Sequence, residues 1–284
     1  MTELLSMVAN EETVKRTNAP SLFLRSWKPM GKARAIVVVV HGFNAHSGYY
    51  GWVAEQLTDR GLAVYAPDLR GRGKSEGERF YINDIEEYAQ DVDDIVNLAK
   101  SREPGLPVFV LGHSAGGVTA CVYSLEHQAD LAGLICESFA FQVCAPDFAV
   151  ALLKGLSHVL PHVHVLNLPN KDFTRDPKAL ETMNEDPLIA HEAQSTNTVA
   201  AMTRADERLN REFPQIKLPL LILHGTDDKV TKPGGSQLFY DTAGSSDKTL
   251  KLYDGYFHDL LNDAGKEIVM ADIQNWIATR LPIS

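Results

Sequence analysis

The chain is poor in the features that would place it outside the ordinary enzymes. Its 284 residues include only three cysteines, Cys121, Cys136 and Cys144. None forms a C-x-x-C pair, so neither a disulfide framework nor a thiolate metal site is indicated. The expectation is buried free thiols in a reducing compartment. Basic residues are outnumbered, 27 Lys and Arg against 37 Asp and Glu, for a net charge of −10. An acidic chain lacks the positive field that holds nucleic acid, so no nucleic-acid partner is expected. No run reaches the roughly 18 apolar residues that span a bilayer. The opening Met1–Met7 lacks the basic flank and apolar core of a signal peptide, and the expected location is cytoplasmic. No repeat and no low-complexity segment interrupts the chain. What remains is 44% apolar composition, enough for a full core.

That apolar content is arranged in short runs. Ala35–Val40 is continuously apolar, as in strands buried on both faces of a parallel sheet. Leu62–Ala66, Val108–Leu111, Gly133–Glu137, Leu218–His224 and Thr249–Tyr253 read as further strands. Thr13–Thr17 and Leu22–Trp27 read as a preceding pair. Helices fall between them, at Tyr50–Arg60, Gly235–Thr242 and Gly265–Arg280. Asp84–Arg102 is the clearest, with Ile85, Ala89, Val92, Ile95, Val96 and Ala99 at three- and four-residue spacing. Alternating strands and helices imply a mostly parallel sheet with helices on both faces. The rhythm breaks between Ser138 and Pro214, where no strand-like run is found. There the apolar stretch Phe148–Leu156 and helix-like segments at Ala179–Met183 and Ala193–Leu209 suggest an inserted, mainly helical cap. The expected division is a core over residues 1–137 and 215–284 with a cap over 138–214.

The chemistry concentrates at strand ends, where ligands bind in open parallel sheets. Gly112-His113-Ser114-Ala115-Gly116 follows a strand and opens a helix, the context in which G-x-S-x-G presents a nucleophile. Gly73-Lys74-Ser75-Glu76-Gly77 fits the same pattern but lies in a polar loop, so Ser114 is preferred to Ser75. A serine needs a base, and the base needs a carboxylate. Among ten histidines, His258 combines a loop after the last strand with the third place in the order Ser, Asp, His. His113 adjoins the serine and points elsewhere, and His224 belongs to a strand. His158, His162 and His164 lack an acid or cysteine at ligand spacing, so no metal is expected. Gly225-Thr226-Asp227-Asp228 offers two acids, of which the Gly-x-x-Asp spacing selects Asp228. The oxyanion of acyl transfer needs two backbone N–H donors, and Ala115 and Phe43 are the candidates.

Several motifs together resemble the monoacylglycerol lipase branch of the α/β-hydrolases, from about Ser21 to Arg280. They are His41-Gly42 with His46-Ser47-Gly48 and Tyr50, the Asp68-to-Gly77 loop, Gly112–Gly117, Asp186-Pro187-Leu188-Ile189 and Gly255-x-x-His258. The resemblance implies a cofactor-independent serine hydrolase with the triad Ser114, Asp228 and His258. It implies a small ester or lipid substrate and an apolar cap that guides an acyl chain and can touch membranes. Two departures stand out. Ala115 replaces the usual Met after the nucleophile, where only the backbone N–H is used. Asn44-Ala45-His46-Ser47-Gly48-Tyr49 stands where mammalian-type members read Gly-Glu-His-Ser-Gly-Arg. The charged Glu and Arg suited to a glycerol headgroup are absent, which opens the site to broader carboxylic esters. A lysophospholipase or peptidase on the same triad is the other reading, and oligomeric state is not encoded in any motif.

Overall fold

A computed structural model describes residues 8–143 and 154–281. Cys144 and residues 148–153 of the apolar stretch lie outside the described residues. The core is an eight-stranded sheet. In chain order its strands are β1 (Asn10–Val14), β2 (Leu22–Trp27), β3 (Ala35–Val40), β4 (Leu62–Pro67), β5 (Val108–His113), β6 (Gly133–Glu137), β9 (Leu220–Gly225) and β10 (Lys248–Tyr253). Across the sheet they lie β1-β2-β4-β3-β5-β6-β9-β10. From β4 to β10 every pairing is parallel; β1 and β2 join antiparallel at one edge.

Every residue of β3, β4, β5, β6 and β9 is buried. That is the demand of a sheet covered on both faces, and it explains the unbroken apolar runs. Successive side chains take opposite faces. Val37 and Val39 pack with Val53 and Leu57 of α1 (Gly51–Thr58) and Ile273 and Trp276 of α7 (Lys266–Ala278). Ile36, Val38 and Val40 pack on the other side with α2 (Ile85–Arg102) and α3 (Ala115–His127). Burying these side chains supplies on the order of 1.5–3 kcal/mol each against chain entropy.

Between β6 and β9 lie α4 (Pro177–Glu185), α5 (Thr196–Glu212) and a short antiparallel ribbon of β7 (His164–Leu166) and β8 (Gln194–Ser195). Asp176 caps α4 by accepting the Lys178 N–H at 2.8 Å, with Pro177 in the first turn. Ser195 caps α5 by accepting the Thr198 N–H at 3.1 Å, which sets its start three residues later than the apolar spacing suggests. α6 (Pro233–Thr242) joins β9 to β10.

Two further expectations are corrected. The first strand occupies Asn10–Val14, not Thr13–Thr17, because its register is set by pairing with β2 at an exposed edge. The segment between Ser138 and Pro214 does contain strands, but β7 and β8 span three and two residues, too few to show alternation. Among the described residues, no helix is long and apolar enough to cross a membrane.

Candidate active site

The carboxyl ends of β3, β5, β9 and β10 open on one edge of the sheet. The turns after them carry Phe43, Ser114, Asp228 and His258. Ser114 takes φ +54° and ψ −119° between β5 and α3. A non-glycine residue there is strained, and the neighbouring backbone holds it. The Ser114 N–H donates to the Glu137 carbonyl at 2.9 Å, and its own carbonyl accepts from Gly117 at 2.9 Å. The turn closes only because Gly112 and Gly116 have no side chain. A Cβ on Gly112 would meet the Gly116 carbonyl oxygen at 2.4 Å, and one on Gly116 the Val40 carbonyl oxygen at 2.1 Å.

The three residues singled out for nucleophilic chemistry come together. His258 Nε2 lies 2.7 Å from Ser114 Oγ, and His258 Nδ1 lies 2.7 Å from Asp228 Oδ2. The side chains of His258 and Asp228 are fully buried. With Nδ1–H donated to the carboxylate, Nε2 is free to accept the Ser114 hydroxyl proton. Asp227, the alternative acid, is exposed. Its N–H donates to the Tyr256 carbonyl at 3.0 Å, a loop contact. Ser75 accepts from the Phe23 N–H at 2.8 Å and donates to the Asp68 carbonyl, tying its loop to β2.

Asp228 is surrounded by donors. Its Oδ1 accepts the Val230 and Thr231 N–H groups at 2.8 and 2.9 Å, and its Oδ2 accepts the Thr231 hydroxyl at 2.8 Å. Burial alone would raise the Asp228 carboxyl. His258 and His224 outweigh it and hold the group well below the usual carboxylate range. His224, read from the sequence as a strand residue, places Nε2 3.0 Å from Asp228 Oδ2 and Nδ1 2.7 Å from Ser236 Oγ. The signal available was its i,i+4 spacing to Asp228 across a four-residue turn.

Phe43 lies in the turn after β3 and Ala115 begins α3, on adjacent strands whose ends align at Val40 and Gly112. The N-terminus of α3 adds the favourable end of its dipole beside Ser114. The Arg72 guanidinium stacks 4.2 Å from the centre of the Phe43 ring.

Behind His258 lies a second cluster that the sequence did not disclose. His113, Glu137 and Asp259 are buried and bring one ligand-type atom each to within 4.8 Å of one another. Among the described residues this is the group whose spacing could hold a metal ion. Its surroundings suit a shared proton better. The Leu261 N–H points at Glu137 at 3.3 Å, and the Asn262 side-chain amide donates to both Asp259 oxygens. Burial pushes Glu137 well up and Asp259 up to about 6. Burial, with the neighbouring His258 imidazole, pushes His113 well down. The trio of His158, His162 and His164 does not converge; His162 instead pairs with Glu78 at 2.7 Å in solvent.

The segment between β6 and β9 is bound to the site. Phe173 sets its ring at right angles to that of His258, with the ring centres 5.0 Å apart. Asp186 accepts from the Tyr49 hydroxyl at 2.8 Å and contacts His46 Nε2 at 2.7 Å. Glu192 reaches the turn after β3, accepting the Asn44 N–H at 3.0 Å.

The geometry can be set beside known proteins. Residues 31–265 match the family model described as serine aminopeptidase, S33. A monoacylglycerol lipase of Mycolicibacterium smegmatis is 30% identical over 282 residues, covering 98% of this chain and 100% of that protein. The monoglyceride lipase of Homo sapiens is 34% identical over 264 residues, covering 91% and 87% respectively. The crystal structure of a Paleococcus ferrophilus monoacylglycerol lipase superposes with a TM-score of 0.83 at 32% identity, covering 91% of this chain and 99% of that one. The fold, the motif positions and these likenesses agree, and the chain belongs to the serine aminopeptidase S33 family of α/β-hydrolases, in its monoacylglycerol lipase-like branch.

Proposed function

We propose that the protein hydrolyses carboxylic esters with an apolar acyl group, monoacylglycerols first, through an acyl-enzyme on Ser114. The observation that carries this reading is the unbroken relay from Ser114 Oγ through His258 to Asp228, with both contacts at 2.7 Å. Ser114 Oγ attacks the ester carbonyl as His258 Nε2 takes its proton. Asp228 stabilises the imidazolium, and the N–H groups of Phe43 and Ala115 receive the oxyanion. His258 returns the proton to the departing alcohol. Water then repeats the sequence, and fatty acid leaves. The step needs no metal or cofactor.

Residues 138–214 act in this reading as a cap over the acyl chain. Val159, Leu160, Val163 and Val165 are apolar yet exposed on that segment, which supports peripheral contact with a lipid surface. Charged substitutions at Val159 and Val163 should then abolish co-flotation with liposomes.

A broader carboxylesterase is favoured by one observation. Asn44 donates its side-chain amide to the Leu168 carbonyl and Asn170, and Tyr49 donates to Asp186. Tyr49, at the position that carries Arg in mammalian-type members, is thus engaged within the protein, and the position that carries Glu is the apolar Ala45. Two measurements test the proposal. Ser114→Ala should abolish fluorophosphonate labelling and Ser75→Ala should not. Fatty acid release from a monoacylglycerol series, compared with p-nitrophenyl esters of equal chain length, separates the lipase from the general esterase. Labelling that persists in Ser114→Ala overturns the assignment.

A further inference from the structure

Arg72 and Glu192 lie 120 positions apart, on the loop after β4 and in the segment after α4, and their side chains are each 1% exposed. They form a buried ion pair. Arg72 also donates to the Tyr88 hydroxyl at 2.7 Å and to Gln194 Oε1 at 2.5 Å. Pairs of this kind contribute little net stability, because desolvation offsets attraction. Their value lies in what they hold. One oxygen, Glu192 Oε1, accepts from Arg72, from Gln194 Nε2 at 2.7 Å and from the Asn44 N–H at 3.0 Å. That N–H belongs to the peptide joining Phe43 to Asn44. Arg72 meanwhile covers the Phe43 ring, 4.2 Å from its centre. Asn44 is left-handed at φ +51°, a conformation open to Asn and closed to most other residues with a side chain. The Asn167 side chain fixes Glu192 from behind through its carbonyl at 2.7 Å.

The geometry points to Glu192 as a positioning residue for the oxyanion hole, clamping the Phe43–Asn44 peptide from the segment between β6 and β9 with Arg72 as counter-charge. This rests on the proposed role of the Phe43 N–H. An oxyanion donor must be aimed at the charge that develops in the transition state, so a loosened turn costs turnover while ground-state binding persists. The inserted segment, on this reading, completes the catalytic geometry as well as covering it.

The test uses steady-state kinetics on p-nitrophenyl butyrate and inhibition by an alkyl trifluoromethyl ketone, which forms a tetrahedral oxyanion on the serine. Glu192→Ala should lower kcat by about 10- to 100-fold, less than the 10²- to 10³-fold cost of losing a donor outright. KM should stay within about threefold, and the ketone's Ki should rise by the factor that kcat/KM falls. Glu192→Gln keeps an acceptor for the Asn44 N–H and should recover most of the rate. The Arg72→Met, Glu192→Met double variant removes both charges at similar volume, so it should fold with a near wild-type Tm. It should still turn over slowly, because the Asn44 N–H remains without its acceptor. Wild-type kcat in that double variant, or a ketone Ki that does not move when kcat falls, overturns the inference. A wild-type protein that neither labels with fluorophosphonate nor cleaves the ester would instead overturn the hydrolase reading beneath it.

Discussion

Replacing Asp228 with Asn tests the relay at the atom where its direction is set. The Val230 and Thr231 N–H groups both point at Oδ1, so the amide oxygen of Asn must take that position. The NH₂ group is then forced to the Oδ2 position, 2.7 Å from His258 Nδ1 and 3.0 Å from His224 Nε2. Two hydrogens meet two ring nitrogens that each become acceptors. His224 adapts by donating from Nδ1 to Ser236 Oγ, already 2.7 Å away. The fold therefore tolerates the change. His258 adapts by moving its proton to Nε2, where it faces Ser114 Oγ and can no longer accept the hydroxyl proton. A serine triad whose base holds the wrong tautomer loses about 10⁴ in kcat, equivalent to roughly 5.5 kcal/mol in the barrier. The assay is p-nitrophenyl butyrate turnover, with fluorophosphonate labelling rate as a second readout and Tm as the folding control. A folded Asp228→Asn protein that keeps more than about a tenth of wild-type kcat refutes the reasoning.

Three further outcomes follow from the same structure. The buried Asp259 carboxyl is raised to about 6, against about 3.9 in an unfolded chain, so the folded state takes up a proton and stability from this group falls as pH rises from about 4 to 6. Asp259→Asn should therefore gain on wild type by up to about 3 kcal/mol above pH 7 and by little at pH 4; a difference in Tm that is flat with pH contradicts this. Gly116→Ala forces a Cβ to 2.1 Å from the Val40 carbonyl oxygen, with backbone on both sides, and should cost about 3 kcal/mol and lower Tm by roughly 5–10 °C, read by thermal unfolding. Asp186→Ala removes the common acceptor of Tyr49 and partner of His46, and should expose the chain between Leu168 and Ser195 to limited proteolysis while leaving the fluorophosphonate-reactive serine intact.

What could be read before folding follows from how local each signal is. The turn at Ser114 declares itself because a tight crossing of strand and helix excludes any Cβ, and the excluded positions are neighbours in the chain. Asp228 and His258 are legible because each lies in the turn after a strand that the sequence marks. Edge elements are less legible: β1 is largely exposed and takes its register from β2, and β7 and β8, at three and two residues, are too short to show alternation. The least legible features are those built from distant partners. Glu192 reads as one more acid on a polar segment until folding brings Arg72 and Asn44 against it. Glu137 reads as a strand's polar end until Asp259 closes on it. His224 falls between these cases, because only a four-residue return turns a strand histidine onto the carboxylate that follows it. Sequence thus discloses the candidates for chemistry, since bond-making demands fixed residue types at strand ends. It conceals the groups that hold them in place, since positioning demands only that some charge or amide arrive from elsewhere. The positions after Phe43 belong to that second class, for they are bound by Leu168, Asn170, Asp186 and Glu192 from a segment more than a hundred residues away.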